Sequence, residues 1–268
     1  MNHLNRSLAP ISEAGWRLLD SEASERLSVA LAARKLVDFS GPHGWKHSAT
    51  NLGRVKPVGE SPVEGVGVLR RRVLPLVELR TDFAIARNEL RDADRGAADP
   101  DLAPLDEAAR RMARAENGAV FHGFAEGHIK GVAEASSHPV VQLSDDFDAY
   151  PGYVGKAIEM LLQAGVGGPY GLALGPGCYI GVIESTEHGG CLVFDHLRKI
   201  LGGPLVWAPG LDGAVVMSLR GGDFLFESGQ DLSLGYDSHD DESVRLYLEQ
   251  SFSFRVAGDD AAVALVNP

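Results

Sequence analysis

The 268-residue chain lacks several things that mark common protein classes. Aromatic residues make up only 7% of it, so the core must be built largely from Leu, Val, Ile and Ala. There are two cysteines, Cys178 and Cys191, and no CxxC motif. That excludes a disulfide framework and a cysteine zinc site, and it fits reduced thiols in a cytosolic protein. No run of 18 apolar residues is present, which excludes an apolar membrane-spanning helix. Met1 to Pro10 has no apolar stretch of the kind a signal peptide needs, so the expected location is the cytoplasm. Basic residues are scarce too: 25 Lys and Arg stand against 37 Asp and Glu, a formal charge of -12. A protein that wraps nucleic acid needs the opposite balance. The longest basic cluster, Arg70-Arg71-Arg72, runs straight into Val73-Leu74-Pro75-Leu76 and reads as a solvated or interface strand.

Catalytic signatures are missing as well. There is no GxSxG elbow, no GxxxxGK[ST] phosphate loop and no HExxH pair. Gly65 and Gly67 begin a dinucleotide fingerprint, but Arg70 stands where its third glycine is required. His122 and His128 are six apart, a poor chelating step on a helix, so no metal site is expected. Asp240-Asp241 and Asp259-Asp260 read as solvated turns. Cys191 with His188 or His196 reads as an exposed loop beside Gly189-Gly190 rather than as a nucleophile and its base. The expectation is a protein that is not an enzyme.

What is present is 44% apolar residues in clear patterns. Ser12 to Ala33 reads as an amphipathic helix, with Trp16, Leu19, Ala23, Leu27, Ala30 and Leu31 at three- and four-residue steps. Val63 to Val68 and Val73 to Leu79 read as a hairpin or extended arm that needs a neighbouring subunit to cover it. Pro104 to Phe121 reads as a long helix with Leu105, Ala108, Ala109, Met112 and Ala115 as its stripe. Glu116 narrows that stripe, and Asn117-Gly118 marks a kink. Tyr153 to Ala164 reads as a further helix. Strands are expected at Tyr170 to Leu174, Tyr179 to Ile183, Leu205 to Ala208 and Ala214 to Leu219, with a helix at Cys191 to Leu201. Val244 to Val256 alternates apolar and polar residues over about thirteen positions, broken at Gln250, and reads as one long strand.

Several phrases, in order along nearly the whole chain, resemble the encapsulin (linocin-like) shell proteins. They are Leu8-Ala9-Pro10-Ile11, Ala33 to Asp38, Gly41-Pro42-His43-Gly44-Trp45, Leu76 to Arg80, Glu89 to Gly96, Gly168-Pro169-Tyr170, Arg220 to Phe224, Gly229 to Tyr236, and Val244 to Tyr247. The resemblance implies an α+β chain with the HK97-type phage capsid fold: peripheral lobe, axial lobe and extended arm. Mapped onto this sequence, it implies an N-terminal helix and the start of the peripheral lobe in 1–51, the arm in 52–79, and the peripheral lobe with its spine helix in 80–133. The axial lobe would occupy 134–223 and a return to the peripheral lobe 224–268.

It also implies a self-assembling family 1 shell subunit in an icosahedral, virus-like cage of 60 copies (T=1). The cage would enclose a cargo enzyme, a ferritin-like iron oxidase or a dye-decolorizing peroxidase, held by the cargo's C-terminal targeting peptide. The matching peptide-binding positions are Leu27, Ala30, Leu31, Arg34, Asp38, Asp231, Leu232 and Leu234. The matching pore loop is Glu184, Ser185, Thr186, Glu187, His188, Gly189, Gly190 and Cys191, with Glu184 and Glu187 favouring cations such as Fe²⁺. Some relatives carry a flavin-stacking aromatic where this chain has Asn88, so no flavin cofactor is expected. No membrane or nucleic-acid partner is expected. The alternative on the same fold is a phage or prophage major capsid protein. A hydrolase and a secreted bacteriocin find no nucleophile or secretion signal in the sequence.

Overall fold

In a computed structural model of the chain, residues 3–59, 61–186, 190 and 192–267 are described. Helix α1 (Glu13–Ala30) starts where Ser12 Oγ accepts the Gly15 N–H at 2.9 Å. Leu19, Ala23, Leu27 and Ala30 form its buried stripe. Strand β1 (Asp38–Ser40) precedes a hairpin of β2 (Ala49–Pro57) and β3 (Leu69–Pro75). Strand β4 (Val77–Ala86) leads into α2 (Arg87–Asp94), and then α3 (Ala103–Phe121) runs for 19 residues with Pro104 in its first turn. The short ribbon β5 (Gly123–Phe124) and β6 (Ile129–Lys130), helix α4 (Val132–Ala135) and β7 (Val141–Gln142) link this region to α5 (Tyr150–Gln163). Next come β8 (Tyr170–Leu174), α6 (Pro176–Glu184), α7 (Val193–Leu201), β9 (Leu205–Trp207) and β10 (Ala214–Ser218). The chain ends with β11 (Phe224–Ser228), β12 (Ser233–His239), β13 (Ser243–Val256) and β14 (Ala262–Val266).

These elements form two lobes. In one, β13 is the axis of a five-stranded sheet: β4 pairs along its length, while β12 and β11 share its other edge. Helices α1 and α3 bury Leu19, Leu27, Leu105 and Met112 against Phe83, Ile85, Leu246 and Leu248 of that sheet. The other lobe is the five-stranded sheet β7-β14-β10-β8-β9, with Val154 and Leu161 of α5 and Leu197 of α7 packed in its core. Each fully buried Leu or Val contributes about 1.5–3 kcal/mol, which compensates for the shortage of aromatics.

Several expectations are corrected. The arm is the hairpin of residues 49–75, not 52–79: Ala49 pairs with Pro75, while Val77 to Leu79 are sheet residues opposite Phe252 to Gln250. The segment 1–51 therefore yields its last residues to the hairpin. The segment 224–268 does not return wholly to the first lobe, because β14 pairs with β10 and β7 in the second sheet. Residues 179–183 are helical within α6. The apolar run there fits strand and helix alike, but Pro176 presets the first turn, and Phe147 lies so close over Gly181 that a Cβ there would meet its ring at 2.2 Å. In β13 the expected polar face is buried too, at Glu249, Ser251 and Ser253, and so is Gln250 on the apolar face. The N-terminal segment and the first residues of β2 cover it: Tyr247 donates to His3 O at 3.3 Å, and Thr50 Oγ1 meets Ser253 Oγ.

The largest correction concerns Asn117, expected to kink α3. Helix α3 runs through it unbroken, and its side chain is fully buried. Its Oδ1 accepts the N–H groups of Ala32 and Ala33 at 3.1 and 3.0 Å, and its Nδ2 donates to Ala30 O and Pro209 O at 2.9 and 2.8 Å. A buried helix end must satisfy its leftover backbone groups, and one carboxamide does so here. This ends α1 at Ala30, three residues short of the expected Ala33. An Asn117→Ala variant, which strands these groups in the core, should lose about 3 kcal/mol of stability. Denaturant unfolding measures it, and a loss below about 1 kcal/mol would show that the cap is dispensable.

Candidate functional site

A concavity runs beside α1. It has a volume of about 500 Å³ and is lined by Ala23, Leu27 and Leu31 on one wall and by Leu232, Leu234 and Leu248 on the other. Asp231 and Arg34 stand at its end. Leu27 and Leu31 are four apart and so share a side of the chain. Across from them, β12 begins at Ser233, and the residues just before it close the opposite wall.

Arg34 sits in the short 3-10 turn Ala33–Lys35 that follows the Asn117 cap. Its guanidinium forks onto Glu116, with Nε donating to Oε1 at 2.9 Å and Nη2 to Oε2 at 2.8 Å. Nη1 donates to Asp231 Oδ1 at 2.7 Å, and Nη2 also reaches Gln250 Oε1 at 2.7 Å. The rings of Phe39 and Phe226 lie 5.1 and 5.4 Å from its centre. Burial by itself would lower the Arg34 pKa. The bonds and charge of Glu116, and then Asp231, outweigh it and hold the group above its ordinary value. Glu116, expected only to narrow the stripe of α3, is 0% exposed and serves as the buried counter-charge.

Of the eight positions named for peptide binding, Leu27, Leu31, Arg34, Asp231, Leu232 and Leu234 meet in this groove. Ala30 and Asp38 do not. Ala30 turns toward α3 and lines a separate hollow with Arg114, Trp207 and Pro209. Asp38 lies in β1, where its Oδ2 accepts the Gly222 N–H at 2.6 Å. Both positions come from the family resemblance: Ala30 lies on the side of α1 that faces α3, and Asp38 lies beyond the helix in β1. Helical spacing from α1 also missed the N-terminal contribution. Leu4 and Arg6 line the groove, Arg6 pairs with Asp20 at 2.6 Å, and the Leu4 carbonyl accepts the Tyr236 N–H.

The second candidate segment lies between α6 and α7. Glu184 is the exposed last residue of α6. The loop is pinched by a bridge between Thr186 and Leu192 and by the Val193 N–H on Ser185 O at 3.2 Å. Glu187, His188, Gly189 and Cys191 lie outside the described residues. The other candidates have local roles. His122 Nε2 accepts the Asp212 N–H at 3.0 Å, and Asp240 accepts the N–H groups of Glu242 and Ser243 in a turn. Asn88 is exposed in the first turn of α2, with Glu89 as its side-chain partner. Among the described residues no group of three or more His, Cys, Asp or Glu is arranged to hold a metal ion, and no helix is long and apolar enough to cross a membrane.

Residues 1–253 match the family Linocin_M18, described as encapsulating protein for peroxidase. The chain is 48% identical over 270 residues to the type 1 encapsulin shell protein of Rhodospirillum rubrum, covering 99% of this chain and 96% of that one. Among solved structures, it matches the virus-like particle from Pyrococcus furiosus with a TM-score of 0.64 at 16% identity, over 92% of this chain and 97% of that chain. It matches the capsid of Myoviridae phage XM1 with a TM-score of 0.53 at 10% identity, over 88% and 91% of the two chains. The two-lobed α+β architecture is the phage-capsid fold.

The Arg34–Glu116 pair yields a direct test. Removing one partner of a buried ion pair leaves the other charge uncompensated, at about 3–5 kcal/mol. Arg34→Met should show a loss of that size in denaturant unfolding, and the added change Glu116→Leu should restore most of it. A single variant within about 1 kcal/mol of wild type would show that Glu116 finds another partner.

Proposed function

The chain belongs to the encapsulin shell-protein family, and on that premise we propose that 60 copies assemble into a T=1 icosahedral nanocompartment in the cytoplasm. The subunit acts as a wall and a receptor rather than as a catalyst. Its cargo is a ferritin-like iron oxidase or a dye-decolorizing peroxidase; the matching family, an encapsulating protein for peroxidase, supports the second.

One observation carries the receptor role. Residues more than 190 positions apart, from Leu27 to Leu234, converge on one groove whose walls are aliphatic and whose end holds a guanidinium beside a carboxylate. An extended peptide has matching needs: apolar side chains at intervals to fill the walls, and polar groups to set its direction. The cargo's C-terminal targeting peptide lies along α1 with its aliphatic side chains between Leu27, Leu31 and Leu232. Arg34 and Asp231 bind its polar groups at one end. A mostly preformed groove keeps the ordering cost of the receptor side small.

The loop from Glu184 to Cys191 borders the pore. Glu184 stands at the C-terminal end of α6, where the helix dipole adds to its negative charge. Together with Glu187 this favours cations such as Fe²⁺ over anions at the entrance. The absence of an aromatic at Asn88 supports a shell that binds no flavin.

Leu232 and Ser28, an exposed residue of α1 that also lines the groove, suit the receptor test better than Leu27 and Leu31, which are buried in the fold. Leu232→Asp and Ser28→Trp should reduce co-purified cargo by about tenfold while negative-stain images still show uniform hollow shells. Normal loading of both variants would place the receptor elsewhere, and monomers in place of wild-type shells would overturn the compartment reading itself. For the pore, Glu184→Gln with Glu187→Gln should slow Fe²⁺ entry into loaded shells severalfold at low ionic strength. Equal rates would remove these carboxylates from the gate.

A further inference from the structure

The two lobes meet along one face of α3, where the loop between β9 and β10 is held at three points. Gly210, at a φ of 94°, comes so close that a Cβ on it would lie 2.5 Å from the Arg114 carbonyl oxygen. The Pro209 carbonyl accepts the Asn117 Nδ2 bond at 2.8 Å, and His122 Nε2 accepts the Asp212 N–H at 3.0 Å. Positions 110, 114, 118 and 122 share one side of a helix, so Arg110 and Arg114 stand on the face that receives this loop. A pocket of about 520 Å³ opens beside the contact. Trp207, Pro209 and Leu211, with Pro176 at the head of α6, form its apolar wall, and Arg110 and Arg114 form its cationic one. A concavity of this size, with walls fixed relative to each other, is preformed for a small molecule.

The side chains on both walls have bonding capacity to spare. Trp16 lies under the Arg6 guanidinium at 4.0 Å, and Trp45 stacks on His3 at 3.9 Å. Trp207 is half-buried against the core of the first lobe, and among the described residues it has no ring or hydrogen-bond partner. The exposed Arg114 guanidinium has no partner among them either. Arg110, one turn away, is engaged by Glu107 through Nε and Nη2, at 3.0 and 2.9 Å. Two cations four apart on a helix repel, and an anion between them removes that cost. We propose that this pocket binds a small organic monoanion with a planar aromatic body. Its ring lies against Trp207 and the two prolines, and its acid group takes the guanidinium donors of Arg114 and Arg110. Asp212 also lines the pocket, with its Oδ1 held by Asn267 Nδ2 at 2.8 Å, and its charge disfavours a second acid group on the ligand. The site lies within one chain and between its two lobes, so it goes beyond the wall and receptor roles and does not rest on them.

Isothermal titration calorimetry of the full chain with naphthoate measures the site. Wild type should saturate at one molecule per chain with a Kd at or below about 1 mM, and the neutral naphthamide should bind about tenfold more weakly. Arg114→Gln and Trp207→Leu should each weaken naphthoate binding about tenfold. Arg91→Gln, which removes an exposed arginine outside the pocket, should leave it unchanged. Thermal unfolding checks that the variants are folded, and the exposed position of Arg114 keeps that variant informative if Trp207→Leu fails to fold. Absence of saturable binding, equal affinity for acid and amide, or an unchanged Kd in the Arg114→Gln variant would overturn the site. Loss of cargo from shells of the Arg114→Gln variant would make the cargo peptide the occupant and overturn the small-molecule assignment, leaving the shell reading intact. Naphthoate binding with this pattern in a chain that forms no shells would do the reverse.

Discussion

The structure depends on two adjacent buried polar residues of the long helix α3, Glu116 and Asn117. Burying a carboxylate and a carboxamide in an aliphatic core is costly unless every polar atom finds a partner. Asn117 uses three of its four bonds to end α1 and the fourth to hold Pro209, and Glu116 uses both oxygens to hold Arg34 in the turn that follows. From Arg34 the network continues to Asp231 at the start of β12 and to Gln250 in β13. Four segments distant in sequence are thereby locked in one relative position. The groove between α1 and β12 owes its width and the placement of its charged end to this network.

The same network accounts for the groove's chemistry. Its walls are leucine side chains that also belong to the core, so the groove is a cleft in packed structure rather than a surface fold of loops. Its charged end is only partly satisfied: Asp231 is half-buried and still faces the opening, while Glu116 behind Arg34 is sealed. An arginine with one buried and one accessible carboxylate is held rigidly and still presents polar atoms to a ligand. At the other extreme of the molecule, the hairpin shows the opposite condition. Among the described residues it has cations without counter-charge, exposed apolar side chains and two open strand edges.

Much of the fold was legible because local pattern and tertiary role agree. The stripe of α1, Pro104 at the head of α3, the apolar run of β8 and the long β13 all follow from periodicity and turn chemistry. The failures occur where tertiary contact overrode local preference. Residues 179–183 carry an apolar run that suits either state, and the packing of Phe147 on Gly181 belongs to the helix. The polar face of β13 looked solvent-exposed until the N-terminal segment was seen to cover it. Asn117-Gly118 looked like a break because Asn is usually placed by local backbone bonds, whereas here its bonds run to residues 84 to 92 positions away.

By itself the sequence determined the class of molecule: acidic, aliphatic-cored, without catalytic or metal signatures, and carrying ordered phrases of a shell-protein family. It also determined which residues of α1 face inward, since a 3.6-residue period is a local property. Only the tertiary structure decided which of the eight candidate positions meet. Leu27 and Leu31 join Asp231, Leu232 and Leu234, while Ala30 and Asp38 face elsewhere. The reason is that the end of α1 is set by a side chain 87 residues further along, at Asn117, and no periodicity within α1 contains that contact.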